Sequence, residues 1–197
     1  MRGSRVGIDV DGVLADFLSP GLALLSKWTG VPYTPDHLEE WDFDNIIPDG
    51  RVGEFWEEMG APGVCGSFTP YFGAVTGMKA LQEVCDVYIV TSALHTGKTW
   101  TYERDNWLMR HFDIPRSRIV HTQAKYTFYG MALVDDKPLN IEQWATTHPG
   151  QLPVLWSQPY NEKATFPPAI SSSIVRTNNW YRLYDMVREF KSWARVK

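Results

Sequence analysis

Hydrophobic residues along this chain follow two rhythms. Short apolar runs that close on polar or small residues read as buried strands: residues 5–10 (stopping at Gly12), DVYIVTS, RIVH, MALVDD and LPVLWS. Between them, apolar positions three and four apart predict helices. Met78, Leu81 and Val84 share a face in residues 74–84, and Trp100, Trp107, Leu108, His111 and Phe112 share one in TWTYERDNWLMRHF. LNIEQWA reads as a short helix. Trp180, Leu183, Tyr184, Val187 and Phe190 mark an amphipathic C-terminal helix, with Asn178 or Asn179 as its cap.

The alternation breaks between Phe17 and Phe72. There PGLALLSKWTG predicts one helix, followed by Pro- and Asp-rich connections with no strand pattern. Residues 17–72 are therefore expected to form a small, mostly helical cap. Residues 1–16 and 73–197 are expected to form the core. Strands alternating with helices predict an α/β fold with a parallel sheet covered on both faces. Ligands of such sheets sit beyond the carboxyl ends of the strands, where the strand order switches. Asp9 and Asp11 end the first strand, Thr91 and Ser92 the second, and Asp135 and Asp136 end MALV, while Lys125 follows RIVH. All fall at one edge.

Composition narrows the classes. The 197 residues suffice for one core carrying an insertion, and 44% hydrophobic with 21% charged residues is the balance of a soluble globular protein. A net charge of -4 offers no footprint for duplex nucleic acid, although a small phosphorylated ligand needs only local positive charge. No apolar run approaches the roughly 20 residues of a membrane span. MRGSR lacks the apolar region of a signal peptide, so a cytoplasmic location is expected. Cys65 and Cys85 read as buried free thiols. His95, His111 and His121 lack metal-ligand spacing, and LHTGKT lacks the first glycine of a P-loop.

Two carboxylates at i and i+2 on extended backbone project to one side and repel unless a cation is near. A second acidic pair at another strand end points to Mg2+, a hard ion bound through oxygen, and leaves Asp9 available as a nucleophile. Thr91 and Ser92 offer hydroxyls and amides to phosphate oxygens, and Lys125 offers compact positive charge. Taken singly, each part has a plainer reading. Asp11-Gly12 and DDKP are common turn sequences, and Thr91-Ser92 suits a helix cap.

Together and in this order, DVDGVLADF, IVTS, Lys125 and LVDDKP resemble the four motifs of the haloacid dehalogenase (HAD) superfamily. The chain is similar, more narrowly, to the 5'(3')-deoxyribonucleotidase family through APGVCGSFTPYFGAVTGMKAL, the run from RIVHTQAK to VDD, QPYN and NNW. The resemblance implies a Rossmann-like core with a small cap after the first strand. It implies that Asp9 attacks phosphorus, while Asp11 protonates the leaving alcohol and then activates water. Asp9, the Asp11 backbone carbonyl and Asp136 would hold Mg2+, with Asp135 in support. Thr91, Ser92 and Lys125 would bind phosphate. Phe17 and Trp41 would contact substrate, with Phe43, Phe55 and Trp56 as further aromatic candidates.

The second aspartate favours a phosphatase over a dehalogenase, which needs no acid/base there. Two positions depart from the family: His95 stands where a lysine is usual, and Gln123 where an arginine is usual. The expected function is a Mg2+-dependent 5'-nucleotidase acting on (deoxy)nucleoside monophosphates through an aspartyl-phosphate. Its alternatives are a HAD phosphatase for a sugar phosphate or nucleic-acid end, and a non-catalytic HAD-fold binding protein. A homodimer is compatible with each.

Overall fold

The computed structural model describes residues 4–38 and 43–194. Strand β1 (Arg5–Ile8) is followed by helices α1 (Leu18–Thr29), α2 (Val52–Met59), α3 (Val64–Ser67) and α4 (Ala74–Val84). Then come β2 (Asp86–Thr91), α5 (Trp100–Phe112), β3 (Ile119–His121), β4 (Ala132–Asp135) and α6 (Pro138–Thr147). The chain closes with β5 (Leu152–Trp156), α7 (Pro168–Ser171), β6 (Val175–Thr177) and α8 (Trp180–Ala194).

The six strands form one sheet in the order β3-β2-β1-β4-β5-β6, and every pair is parallel. The expected parallel α/β architecture is present. Alternation along the strands splits the core into two layers. Ile8, Ile89, Val134 and Val154 pack toward α4, α5 and α8, while Val90, Leu133 and Leu155 pack with Ile141 and Trp144 of α6. Helix α8 lies against α4 at Gly77, where an added Cβ would come within 2.5 Å of the Trp180 ring. Asn179 caps α8, its Oδ1 accepting from the Arg182 amide at 3.1 Å.

Two expectations change, and a third gains detail. Strand β1 ends at Ile8 rather than Val10, because the Val10 carbonyl accepts from the amides of Val13, Leu14 and Ala15 (3.2, 2.7 and 2.8 Å) and folds the chain out of the sheet. Strand β6 is additional. Its three residues, two half-buried and Thr177 buried, are too few to show a period in sequence. The helix beginning at Leu18 is joined in the 17–72 stretch by α2, α3 and two 3-10 turns, with no strand among the described residues.

Candidate active site

After β3 the chain crosses the sheet to β4, beside β1, so the strand order switches between β1 and β4. The crevice expected at such a switch is present as a cavity of about 740 Å³. Asp9, Asp11, Thr91, Ser92, Lys125 and Asp136 all line it, so residues spread over 127 positions meet at one place.

The floor is built from strand ends. The Asp9 amide still donates to Val134 O at 2.9 Å, fixing this residue beside β4. Gly12 then turns the chain at φ 76°, and a Cβ there would lie 2.2 Å from Asp136 Oδ2 and 2.5 Å from the Tyr160 hydroxyl. Only glycine fits that backbone and that space. Gln158 Nε2 donates to the Gly12 carbonyl at 2.6 Å and ties the turn to the segment after β5.

Lys125 is buried, and its Nζ lies 2.6 Å from Asp9 Oδ2 and 2.8 Å from Asp135 Oδ2. Asp135 is saturated with partners. Its Oδ1 also accepts from the Lys137 amide at 2.9 Å, and Asn140 Nδ2 reaches both oxygens at 3.0 and 3.1 Å. Asp136 accepts from the Tyr160 hydroxyl, and its backbone carbonyl from Asn161 Nδ2 at 2.7 Å. Carboxylate oxygens of Asp9, Asp135 and Asp136 lie within 4.8 Å of one another.

Three buried carboxylates share one ammonium. Burial pushes the Asp9 carboxyl up to about 7; Lys125 opposes the shift, and the charges of Asp135 and Asp11 add to it. Asp136 is also raised well above the carboxylate range, by burial and then by Asp135 and Asp9. Burial works against the charge of Lys125, but Asp135 and Asp9 outweigh it and hold its pKa high. This uncompensated negative charge fits a hard divalent cation with oxygen ligands. Asp9 and Asp136 face the cavity, whereas both Asp135 oxygens are engaged with Lys125, Asn140 and the Lys137 amide.

Asp11 stands beyond the turn at Val10 rather than on an extended strand end, and its charge still acts on Asp9 across the cavity that both line. Its Oδ1 pairs with Arg104 Nη2 of α5 at 2.6 Å, while its side chain stays a quarter exposed at the cavity. Thr91 is buried at the end of β2, and Ser92 Oγ donates to Thr122 O at 3.2 Å. Neither caps α5, which begins eight residues later behind Thr99.

The opposite wall is aromatic. Phe17 and Trp56 line the cavity with their rings nearly parallel, 9° apart and 6.2 Å between centroids. Phe43 and Phe55 are fully buried and pack beneath them, so of these candidates they serve the core. Trp41 lies outside the described residues. His95 and Gln123, the two departures from the family pattern, face each other at the mouth with 2.6 Å between their Nε2 atoms. Cys65 and Cys85 are free and buried, and burial pushes both thiols up to about 12.

Sequence reasoning missed Arg104, Asn140, Tyr160 and Asn161. Arg104 had a usable signal: it stands four residues after Trp100 and four before Leu108, a charge inside an apolar helical stripe. Tyr160 and Asn161 belong to QPYN, a stretch noted for its likeness without a role. Asn140 carried no signal of its own.

A family model described as "5' nucleotidase, deoxy (Pyrimidine), cytosolic type C protein" matches residues 3–193. The cytosolic 5'(3')-deoxyribonucleotidase of Homo sapiens is 28% identical over 95% of this chain and 96% of its own length. The mitochondrial 5'(3')-deoxyribonucleotidase of Mus musculus is 26% identical over 95% and 88%. Among solved structures, a haloacid dehalogenase-like hydrolase from Burkholderia xenovorans LB400 superposes with a TM-score of 0.62 at 15% identity, covering 96% of this chain and 99% of that one. A magnesium-bound HAD hydrolase from Bacillus subtilis gives 0.55 at 18% identity, over 95% and 99%. The structural likenesses establish the HAD fold.

Proposed function

The chain belongs to the cytosolic type C family of deoxy (pyrimidine) 5'-nucleotidases, hydrolases of phosphoric monoesters, and on that premise we propose a Mg2+-dependent 5'-nucleotidase acting on deoxynucleoside monophosphates through an aspartyl-phosphate. One observation carries this reading: Asp9, Lys125 and Asp136 converge at the strand-order switch, with Asp11 on the rim of the same cavity. Residues 17–72 serve as the cap and the remainder as the catalytic core. The cytoplasm is the proposed location; no helix among the described residues is long and apolar enough to cross a membrane.

Asp9, Asp136 and the backbone carbonyl of Asp11 would hold Mg2+. Bound there, the cation would neutralise the clustered carboxylates and would draw charge from the phosphoryl oxygens. Lys125 fixes the Asp9 carboxylate through Oδ2 and balances charge on the transferring group. Thr91 and Ser92 supply donors for the phosphoryl oxygens. Asp9 forms a bond to phosphorus as the ester P–O bond breaks, and Asp11 gives its proton to the departing alcohol oxygen. Asp11 then takes a proton from water as that water attacks the aspartyl-phosphate, which releases inorganic phosphate and restores Asp9. Asp135 keeps Lys125 in place. Phe17 and Trp56 offer flat faces to a nucleobase.

A second reading, a phosphatase for another small phosphate, draws on the mouth. There an imidazole and a carboxamide, His95 and Gln123, occupy positions where the resembling family carries two cations. Phosphate release across a panel of deoxy- and ribonucleoside monophosphates, sugar phosphates and 3'-phosphorylated oligonucleotides separates the two. Selective turnover of deoxynucleoside monophosphates is expected. Preference for sugar phosphates would establish the second reading, and no turnover of any member with Mg2+ present would overturn both.

A further inference from the structure

Arg104 is fully buried, and among the described residues two of its three nitrogens, Nε and Nη1, have no hydrogen-bond partner. Its guanidinium is walled by the rings of Trp100, Phe68 and Trp107, at 5.1, 5.5 and 5.6 Å from their centroids. Those rings soften the burial of the charge but do not satisfy its donors. An apolar residue of similar volume would fill this space at lower cost. The remaining nitrogen, Nη2, makes a single ion pair, with Asp11 Oδ1 at 2.6 Å.

The helix that carries Arg104 is itself anchored. Glu103 accepts from the Gly63 and Gly66 amides at 2.8 and 3.1 Å, and Trp107 Nε1 donates to Phe68 O at 2.7 Å. Arg104 is therefore held by neighbours on both sides, so a rigid, buried cation grips a carboxylate that sits on the turn after Val10 and faces the cavity. We propose that Arg104 is a positioning residue for proton transfer: it holds the Asp11 carboxylate at the cavity in the orientation that serves the leaving oxygen. This rests on Asp11 being the proton carrier of the proposed reaction. Proton transfer of this kind depends on placing the carboxyl within hydrogen-bond reach of that oxygen, and among the described residues Arg104 is the side chain paired with the Asp11 carboxylate.

The test is a series of aryl phosphates graded by leaving-group acidity, turned over by the wild type and by Asp11→Asn, Arg104→Met, Arg104→Lys and the Asp11→Asn/Arg104→Met double variant. Arg104→Met should lower kcat about 10- to 100-fold for the poorest leaving groups and much less for the best, with KM within about twofold. Arg104→Lys should recover part of the loss. On the Asp11→Asn background the same Met substitution should change kcat less than about twofold, because the group it orients no longer transfers a proton. A uniform loss across leaving groups, or a loss of the same size on the Asp11→Asn background, overturns this inference alone. If Asp11→Asn itself shows no leaving-group dependence, the proton-carrier reading falls and takes this inference with it. Should Arg104→Met not fold, as judged by near-ultraviolet circular dichroism, the Arg104→Lys variant carries the same comparison with and without Asp11→Asn.

Discussion

The two walls of the cavity are made in opposite ways. The acidic floor is assembled from strand ends, with its carboxylates tied to Lys125, Asn140 and Tyr160 and with more negative charge than Lys125 alone balances. The aromatic wall is assembled mainly from packing: Phe17 touches Phe43, Trp56 and Phe68, while Trp56 Nε1 also donates to Asp44 Oδ1 at 2.8 Å. The floor therefore sacrifices stability for chemistry, while the wall gains stability from the same contacts that shape it. One change in the floor should have sharp consequences for turnover, and one change in the wall should be graded.

The largest expected effect is at Asp9. Asp9→Asn should lower turnover by about 1,000-fold or more, since a carboxamide cannot form the aspartyl ester. It should also raise the thermal stability of the metal-free protein at pH 8 by removing a strained charge. Substantial turnover in a Mg2+-replete sample, with stability lowered, would break the contrast at its strongest point.

The next effect concerns pH and the cation. Asp9 in the folded protein keeps its proton to about pH 7, whereas the unfolded chain releases it near pH 4. The folded state therefore binds the extra proton within that window. Metal-free stability falls as pH rises from about 4 to about 7 and then levels, with Asp136 acting in the same direction. A bound cation should offset that loss. The gain in melting temperature on adding Mg2+ should be about 5–10 °C larger at pH 8 than at pH 5, read by calorimetry. Equal gains at both values would show that these carboxylates do not meet the ion.

The smallest effect sharpens the wall. Phe17→Ala should raise KM for a nucleoside monophosphate about tenfold, the scale of a lost base stack, and leave KM for a phosphate without a base within about twofold. Buried Phe43→Ala should instead cost about 3–5 kcal/mol of stability while leaving the ratio of the two KM values unchanged. If Phe17→Ala affects both substrates alike, the wall is packing and does not select.

The floor was largely legible in sequence and the wall was not, for a physical reason. Strand ends follow from short apolar runs, and polar residues just beyond them must share the carboxyl edge of a parallel sheet. The pattern along the chain therefore places Asp9, Thr91, Ser92, Lys125 and Asp136 together. The turn after Val10 was not legible, because three amides converging on one carbonyl depend on local loop closure rather than on residue pattern. Nor was strand β6, whose three residues gain their place from pairing with β5. Of the aromatic candidates, Phe17 and Trp56 face the cavity while Phe43 and Phe55 are buried, a distinction that periodicity in an irregular segment cannot make.

Residue order alone thus determined the α/β class, the edge that carries the chemistry and the order of its motifs. Local hydrophobic period and strand-end polarity are properties of the chain itself. Tertiary structure decided the partners. Asp135 turns to Lys125 and Asn140, Asp136 to Tyr160, and Asp11 to an arginine 93 positions away. Such pairings arise where the packing of separate elements brings polar atoms within reach of one another, and no pattern along the chain encodes that distance.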